Sequence, residues 1–301
     1  MVSAFTALRA GIGATSAVSP GLAGHFATQA FFITQPRMSV RPPDEATHFT
    51  ARRGTIRVGA SQVTTYAWGS GDRTVLLPHG WRGRASQFAP LVRELVAEGF
   101  HVVSFDAPGH GDSTGRRTDI RDWVAATEQL QRVHGRFRAI VGHSFGALAG
   151  LTAARGGVTT GAVAAIAGAA GPEAFLGRFA DTLGLDERTR ATFGRSFRAR
   201  VGEDAASVFA RYDAVADPLP AAVDLLVVHD RGDRQMPPED SLRLHAAHAP
   251  RSRLLLTDGF GHNRVLSADP VLDAVVALTT GGLPAVDALL GDDREAAPAL
   301  A

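Results

Sequence analysis

The chain has 301 residues, 45% of them apolar, and a formal net charge of +1 from 31 basic and 30 acidic residues. This length suits one large core with a modest insertion or appended arm, and the evenly mixed charges offer no phosphate-binding stripe, so no nucleic-acid partner is expected. The absence of cysteine excludes disulfides, thiolate metal sites and cysteine nucleophiles, and the absence of lysine excludes a Schiff-base lysine and the lysine of a Walker A loop.

Residues 10–36 carry no formal charge apart from His25, and they include Phe26, Phe31 and Phe32. Gly11, Gly13, Ser16, Pro20 and Gly24 leave the stretch too poor in large apolar side chains for a spanning helix. A secretory leader needs a basic start and a continuous apolar run, whereas only Arg9 precedes a weak one. Residues 1–50 are therefore expected to form an arm whose phenylalanines pack on the main domain or touch a membrane surface as an amphipathic segment. The corresponding location is cytoplasmic.

From residue 54 short β-branched or apolar runs alternate with longer amphipathic stretches, the signature of a mostly parallel sheet flanked by helices. Eight strands are predicted at 54–59, 62–68, 74–78, 101–105, 138–142, 162–167, 224–229 and 252–257. The first two form a hairpin turning at Ala60 and Ser61, and the later ones are joined by helical crossovers over 87–98, 118–134, 145–155, 238–249 and 270–279. About fifty residues separate the sixth and seventh strands, more than a crossover needs, so 171–218 is predicted to be an inserted helical lid. Phe175, Leu176, Phe179 and Leu183 fall at helical spacing in it, and Phe193, Phe197, Val208, Phe209 and Tyr212 extend its apolar content. The α/β core then comprises 51–170 and 219–281, and 282–301 is expected to be a frayed tail of small and acidic residues.

Two pentapeptides fit the pattern GxSxG, one centred on Ser144 (Gly142 to Gly146) and one on Ser113 (Gly111 to Gly115). A nucleophilic serine on such a scaffold needs a sharp strand-to-helix turn with the next amide at a helix N-terminus. Ser144 directly follows the apolar run Phe137–Val141 and precedes Gly146, Ala147, Ala149 and Gly150, small enough to let a helix lie close to the sheet. Ser113 follows a glycine-rich loop and precedes Arg116, Arg117 and Asp119, so an exposed turn is expected there. A serine hydroxyl also needs a base to take its proton and a carboxylate to orient that base. His262, in a glycine-rich loop after the eighth strand, and Asp233, in the loop after the seventh, fit these roles. Asp230 lies in the same loop as Asp233, but directly after the strand, where a carboxylate more naturally caps the turn.

Residues 54–279 resemble the α/β-hydrolase family. The likeness rests on His79-Gly80-Trp81 after the third strand, Asp106 to Gly111 after the fourth, the Ser144 turn, and the loops bearing Asp233 and His262. The resemblance implies the α/β-hydrolase fold, a Ser144, Asp233, His262 triad, an oxyanion hole made by the amides of Trp81 and Phe145, and cleavage of an ester-like acyl bond without cofactor or metal. The expected partner is a small-molecule substrate with an apolar acyl part. The same residues suit a thioesterase, lactonase, carbon–carbon bond hydrolase, perhydrolase or acyltransferase, and a non-catalytic small-molecule binding protein is the alternative from another class.

Other residues have plainer readings. His79, His143 and His229 sit near strand ends and are expected to shape loops by hydrogen bonding, and Asp106 to set loop geometry in its Pro-Gly context. His245 and His248 lack a third ligand nearby and read as a solvated helix face. The lid arginines Arg188, Arg190, Arg195, Arg198 and Arg200 read the same way.

Overall fold

The computed structural model describes residues 4–201 and 210–291. Its centre is one eight-stranded sheet of β1 (Arg52–Val58), β2 (Ser61–Trp68), β3 (Thr74–Pro78), β4 (His101–Phe105), β5 (Phe137–His143), β6 (Ala162–Ile166), β7 (Asp224–Asp230) and β8 (Ser252–Thr257). The spatial order is β1-β2-β4-β3-β5-β6-β7-β8. β1 and β2 form an antiparallel hairpin that joins β4 antiparallel, and every pairing from β4 onward is parallel. The hairpin turn falls at Gly59 and Ala60, one residue earlier than the sequence suggests, because Ser61 already pairs with Val58.

The central strands are buried on both faces, which explains their unbroken apolar runs. Side chains of β3 alternate between layers: Leu76 joins the core with Ile140 and Phe137, while Val75 and Leu77 face the layer with Val141, Leu226 and Val228. Helices α1 (Ala4–Val18), α2 (Pro20–Phe31) and α3 (Pro42–Phe49) precede the sheet, and α4 (Ala89–Ala97), α5 (Ile120–His134) and α6 (Phe145–Arg155) cross over it. α5 starts where Asp119 accepts from the Arg121 amide at 3.0 Å. α6 lies directly against the sheet: a Cβ on Gly146 would fall 2.1 Å from the Pro78 carbonyl oxygen, so only glycine allows that approach.

Between β6 and β7 the chain forms α7 (Pro172–Leu183) and α8 (Glu187–Val201). Val208 and Phe209, counted above among the apolar residues of this insertion, lie outside the described residues. α2 packs against α8, and the rings of Phe32 and Phe197 stack 5.6 Å apart at 5°. The arm's phenylalanines divide: Phe31 and Phe32 turn inward, and Phe26 is exposed. Among the described residues no helix is long and apolar enough to cross a membrane.

After β7 come α9 (Glu239–Ala247), a short helical turn at Gly261–Arg264, α10 (Asp269–Gly281) and α11 (Leu283–Leu290). The last helix corrects the expectation of a frayed tail from residue 282. Leu283 and Val286 lie on one face three residues apart and are buried against α10 and β8, while Pro284 suits the first turn. His248 is also buried rather than solvated; it accepts from the Leu219 amide at 3.0 Å and so fixes the approach to β7.

Candidate active site

The parallel strands all point the same way, so the loops after β3, β5, β7 and β8 gather at one edge of the sheet. Ser144 stands between β5 and α6 with φ 53° and ψ −118°, a left-handed conformation unusual for any residue but glycine. Its amide donates to the Ile166 carbonyl at 2.8 Å, fixing the turn to β6. The strain lifts the hydroxyl out of the strand line. Ser144 is nonetheless only 6% exposed, beneath the helices above it.

His262, on its short helical turn, faces the serine. Its Nε2 lies 3.0 Å from Ser144 Oγ, and its Nδ1 lies 2.7 Å from Asp233 Oδ2. Asp233 Oδ1 accepts from the amides of Gln235 and Met236 at 2.7 and 3.0 Å. Burial alone raises the Asp233 pKa, but hydrogen bonds from His229 and His262 and the charge of His262 outweigh it and hold this carboxyl well below its ordinary value. An imidazole held between a carboxylate and a hydroxyl is an arrangement that can take a proton from that hydroxyl.

Asp230 is bound elsewhere. It accepts from the Gly232 and Phe260 amides at 3.0 and 2.9 Å and from Thr257 Oγ1 at 2.9 Å, tying the end of β7 to the loop that carries His262.

Three further histidines hold the loops. His143 Nε2 donates to the His262 carbonyl at 2.8 Å, and burial lowers its pKa to about 3. His229 Nε2 donates to the Met236 carbonyl at 2.8 Å. His79 donates from Nδ1 to the Gly80 carbonyl at 2.7 Å and accepts at Nε2 from the Ala107 amide at 3.0 Å.

Asp106, fully buried, accepts from the amides of Ala85 and Asp112, each at 2.8 Å, and from the Tyr66 hydroxyl at 2.8 Å. Ser113 belongs to this scaffold and not to an exposed turn. It is buried, donates to the Asp106 carbonyl and accepts from the Thr64 amide at 2.8 Å, so its hydroxyl is already committed.

The loop after β3 comes close to the serine: a Cβ on Gly80 would lie 3.0 Å from Ser144 Cβ. Among the described residues the amides of Trp81 and Phe145 donate to no other backbone group. The Trp81 ring packs on Trp123 at 5.8 Å and meets Phe145 edge-on at 5.3 Å.

A cavity of about 610 Å³ opens over Ser144 and His262. Trp81, Phe145 and Met236 wall it from the core, Phe175 and Phe179 from α7, and Leu8 and Phe31 from the arm. The sequence points to the phenylalanines of the insertion but assigns no site role to Leu8 or Phe31. Their signal was the large apolar side chains of the uncharged stretch, which the sequence alone does not connect to residues some fifty to two hundred positions away. Arg82, Arg178, Gln87 and Asn263, which also line the cavity, carry no motif that would single them out. Among the described residues no group of three or more acidic or histidine side chains is arranged to hold a metal ion.

No sequence among the curated proteins matches the chain. By structure it is similar to the mouse alpha/beta hydrolase domain-containing protein 10, with a TM-score of 0.61 at 17% identity over 79% of this chain and 100% of that one. A putative lipase from Acinetobacter baumannii gives 0.57 at 16% identity over 83% and 97% of the two chains. An esterase from Pyrococcus furiosus gives 0.57 at 19% identity over 78% and 91%. These likenesses show the fold. The model of the alpha/beta hydrolase family matches residues 75–296, most of the chain and every loop that meets at Ser144, and the protein therefore belongs to the α/β-hydrolase family.

Proposed function

We propose that this α/β-hydrolase cleaves an ester-like acyl bond of a small molecule through an acyl-serine intermediate. The observation that carries the reading is the position of His262, 3.0 Å from Ser144 Oγ on one side and 2.7 Å from Asp233 on the other. Ser144 Oγ attacks the acyl carbon as His262 Nε2 takes its proton, and the carbonyl electrons move onto oxygen. The Trp81 and Phe145 amides donate to that oxyanion. When the tetrahedral intermediate collapses, His262 returns the proton to the departing alkoxide. Water repeats the sequence on the acyl-serine, releasing the acid and restoring the hydroxyl. Asp233 holds the imidazole in the tautomer that leaves Nε2 free to accept. No cofactor or metal enters this chemistry.

The aromatic walls of the cavity suit an apolar acyl part. An esterase and a putative lipase are among the proteins of similar fold. A fluorophosphonate probe tests the reading directly. Wild-type protein is expected to label stoichiometrically and the Ser144→Ala variant not at all, with turnover across a panel of acyl esters lost in parallel. Unlabelled wild-type protein that turns over no ester in the panel would leave a binding protein on a hydrolase fold.

A further inference from the structure

Among the described residues the cavity over Ser144 is lined by three guanidinium groups, Arg41, Arg82 and Arg178, and by no carboxylate. The three are not equivalent. Arg41 is matched by Asp44, whose carboxylate oxygens lie 2.7 and 3.3 Å from its Nε and Nη2. Arg178, projecting from α7, donates to the Arg234 carbonyl and forms no ion pair among the described residues. Arg82 follows Trp81 directly. Its side chain makes neither a hydrogen bond nor an ion pair among the described residues, although surrounding protein disfavours its charge and lowers its pKa.

The backbone places Arg82 deliberately. Its φ of 57° is a conformation that non-glycine residues rarely adopt, held by the Arg82 amide donating to His110 Nε2 at 2.9 Å. His110 is itself buried, with a pKa lowered to about 3 chiefly by burial, and its Nδ1 donates to the Pro108 carbonyl at 3.1 Å. Two uncompensated cations thus reach solvent along the rim of a cavity whose walls are largely aromatic. A guanidinium matches a planar carboxylate, which it binds through paired N–H groups.

We infer that Arg82 and Arg178 form an anion subsite, so that the substrate is an amphipathic ester with an apolar segment over Ser144 and a carboxylate remote from the scissile bond. The scissile bond in this statement rests on the hydrolytic reading above; the anion subsite does not. The two cations also raise the local concentration of an anionic substrate, an effect that salt weakens.

The test compares p-nitrophenyl hydrogen adipate with its methyl-capped neutral counterpart, p-nitrophenyl methyl adipate, on wild-type protein and on the Arg82→Gln, Arg178→Gln double variant. At low salt the wild type is expected to favour the carboxylate ester by about tenfold in kcat/KM, a preference that shrinks as ionic strength rises. The ratio collapses toward one in the double variant, and Arg→Lys changes at the same two positions, which keep the charge, restore part of it. Binding of adipate itself to the Ser144→Ala protein, measured by calorimetry, is expected to be lost when both arginines are also replaced. Equal kcat/KM for the two esters, or adipate binding that survives the double replacement, overturns the subsite. If neither ester is turned over and the fluorophosphonate does not label Ser144, the hydrolytic reading fails, and the calorimetry alone still decides the anion subsite.

Discussion

The ring of Phe31, at the end of α2, stacks on the ring of Trp81 with centroids 5.9 Å apart and planes at 28°. One residue belongs to the arm, outside the segment that matches the family, and the other to the loop that runs beside the serine. Phe31 also meets Phe179 and Phe197 of the α7–α8 insertion edge-on, at 5.2 and 5.5 Å. Arm, insertion and core are thereby joined through one side chain.

Phe31→Ala should accordingly change both stability and selectivity. Aromatic pairs contribute about 0.5–1.5 kcal/mol each beyond area burial, and truncating a half-buried phenylalanine leaves a void, so a loss of roughly 2–3 kcal/mol is expected. The same void lengthens the cavity, and the preferred acyl chain in an ester series should become longer. A melting temperature and chain-length profile both equal to wild type would show that the arm is not part of the cavity wall.

The two GxSxG serines should behave in opposite ways. Ser144→Ala should reduce ester turnover by about 10⁴-fold or more with little effect on folding. Ser113→Ala should leave the chemistry largely intact but remove a hydroxyl that satisfies the Thr64 amide and the Asp106 carbonyl, costing about 1–3 kcal/mol. Denaturant midpoints and kcat measured on both variants separate the two effects. Comparable losses of kcat would undo the distinction.

Much of this was legible in the sequence. All eight strands appear within a residue or two of their predicted bounds, because buried parallel strands announce themselves as apolar runs cut off by glycine-rich loops. That Ser144, Asp233 and His262 would come together could be expected because each follows such a run. Ser113 was misread for a physical reason: polar, glycine-rich neighbours suggest exposure, whereas its burial comes from the Asp106 network, whose members lie far apart in sequence. The role of Phe31 was hidden likewise, since pairing between α2 and α8 spans more than 150 residues and leaves no periodic trace.

Acid should destabilise the fold as pH drops below the ordinary histidine range. His79, His110 and His143 are buried, and burial lowers their pKa values from 6.5 to about 4, 3 and 3. In the unfolded chain these rings take up protons near their ordinary value, while in the folded chain they stay neutral. The unfolded state therefore binds more protons across the window between, and stability falls as pH drops from about 6.5 toward 4, by on the order of 1 kcal/mol per pH unit for each ring. Thermal melts at pH 7.5, 6, 5 and 4 check this. A melting temperature that stays level down to pH 4 would mean the rings are protonated in the folded protein.

Asp230 and Asp233 share one loop, yet their replacement should separate catalysis from architecture. Asp233 places Oδ2 2.7 Å from His262 Nδ1, so Asp233→Asn keeps the shape but puts an amide where the imidazole needs an acceptor with a negative charge. The wrong tautomer is then favoured, and kcat should fall by up to about 10⁴-fold with an unchanged melting temperature. Asp230 does not touch the ring; it accepts from Gly232, Thr257 and Phe260 and holds the β7 and β8 loops together. Burial pushes its pKa up, but the amides of Phe260 and Gly261, with Thr257 and Gly232, pull it below the ordinary carboxylate value. Its stabilising contribution is present above the unfolded pKa and lost as pH falls through the folded one. Asp230→Asn replaces one acceptor oxygen with a donor facing other donors, so it should lower the melting temperature while kcat of the folded fraction drops far less than in Asp233→Asn. If Asp230→Asn instead shows the larger loss of kcat at an unchanged melting temperature, the carboxylate that orients His262 in solution is Asp230, and the two roles must be exchanged.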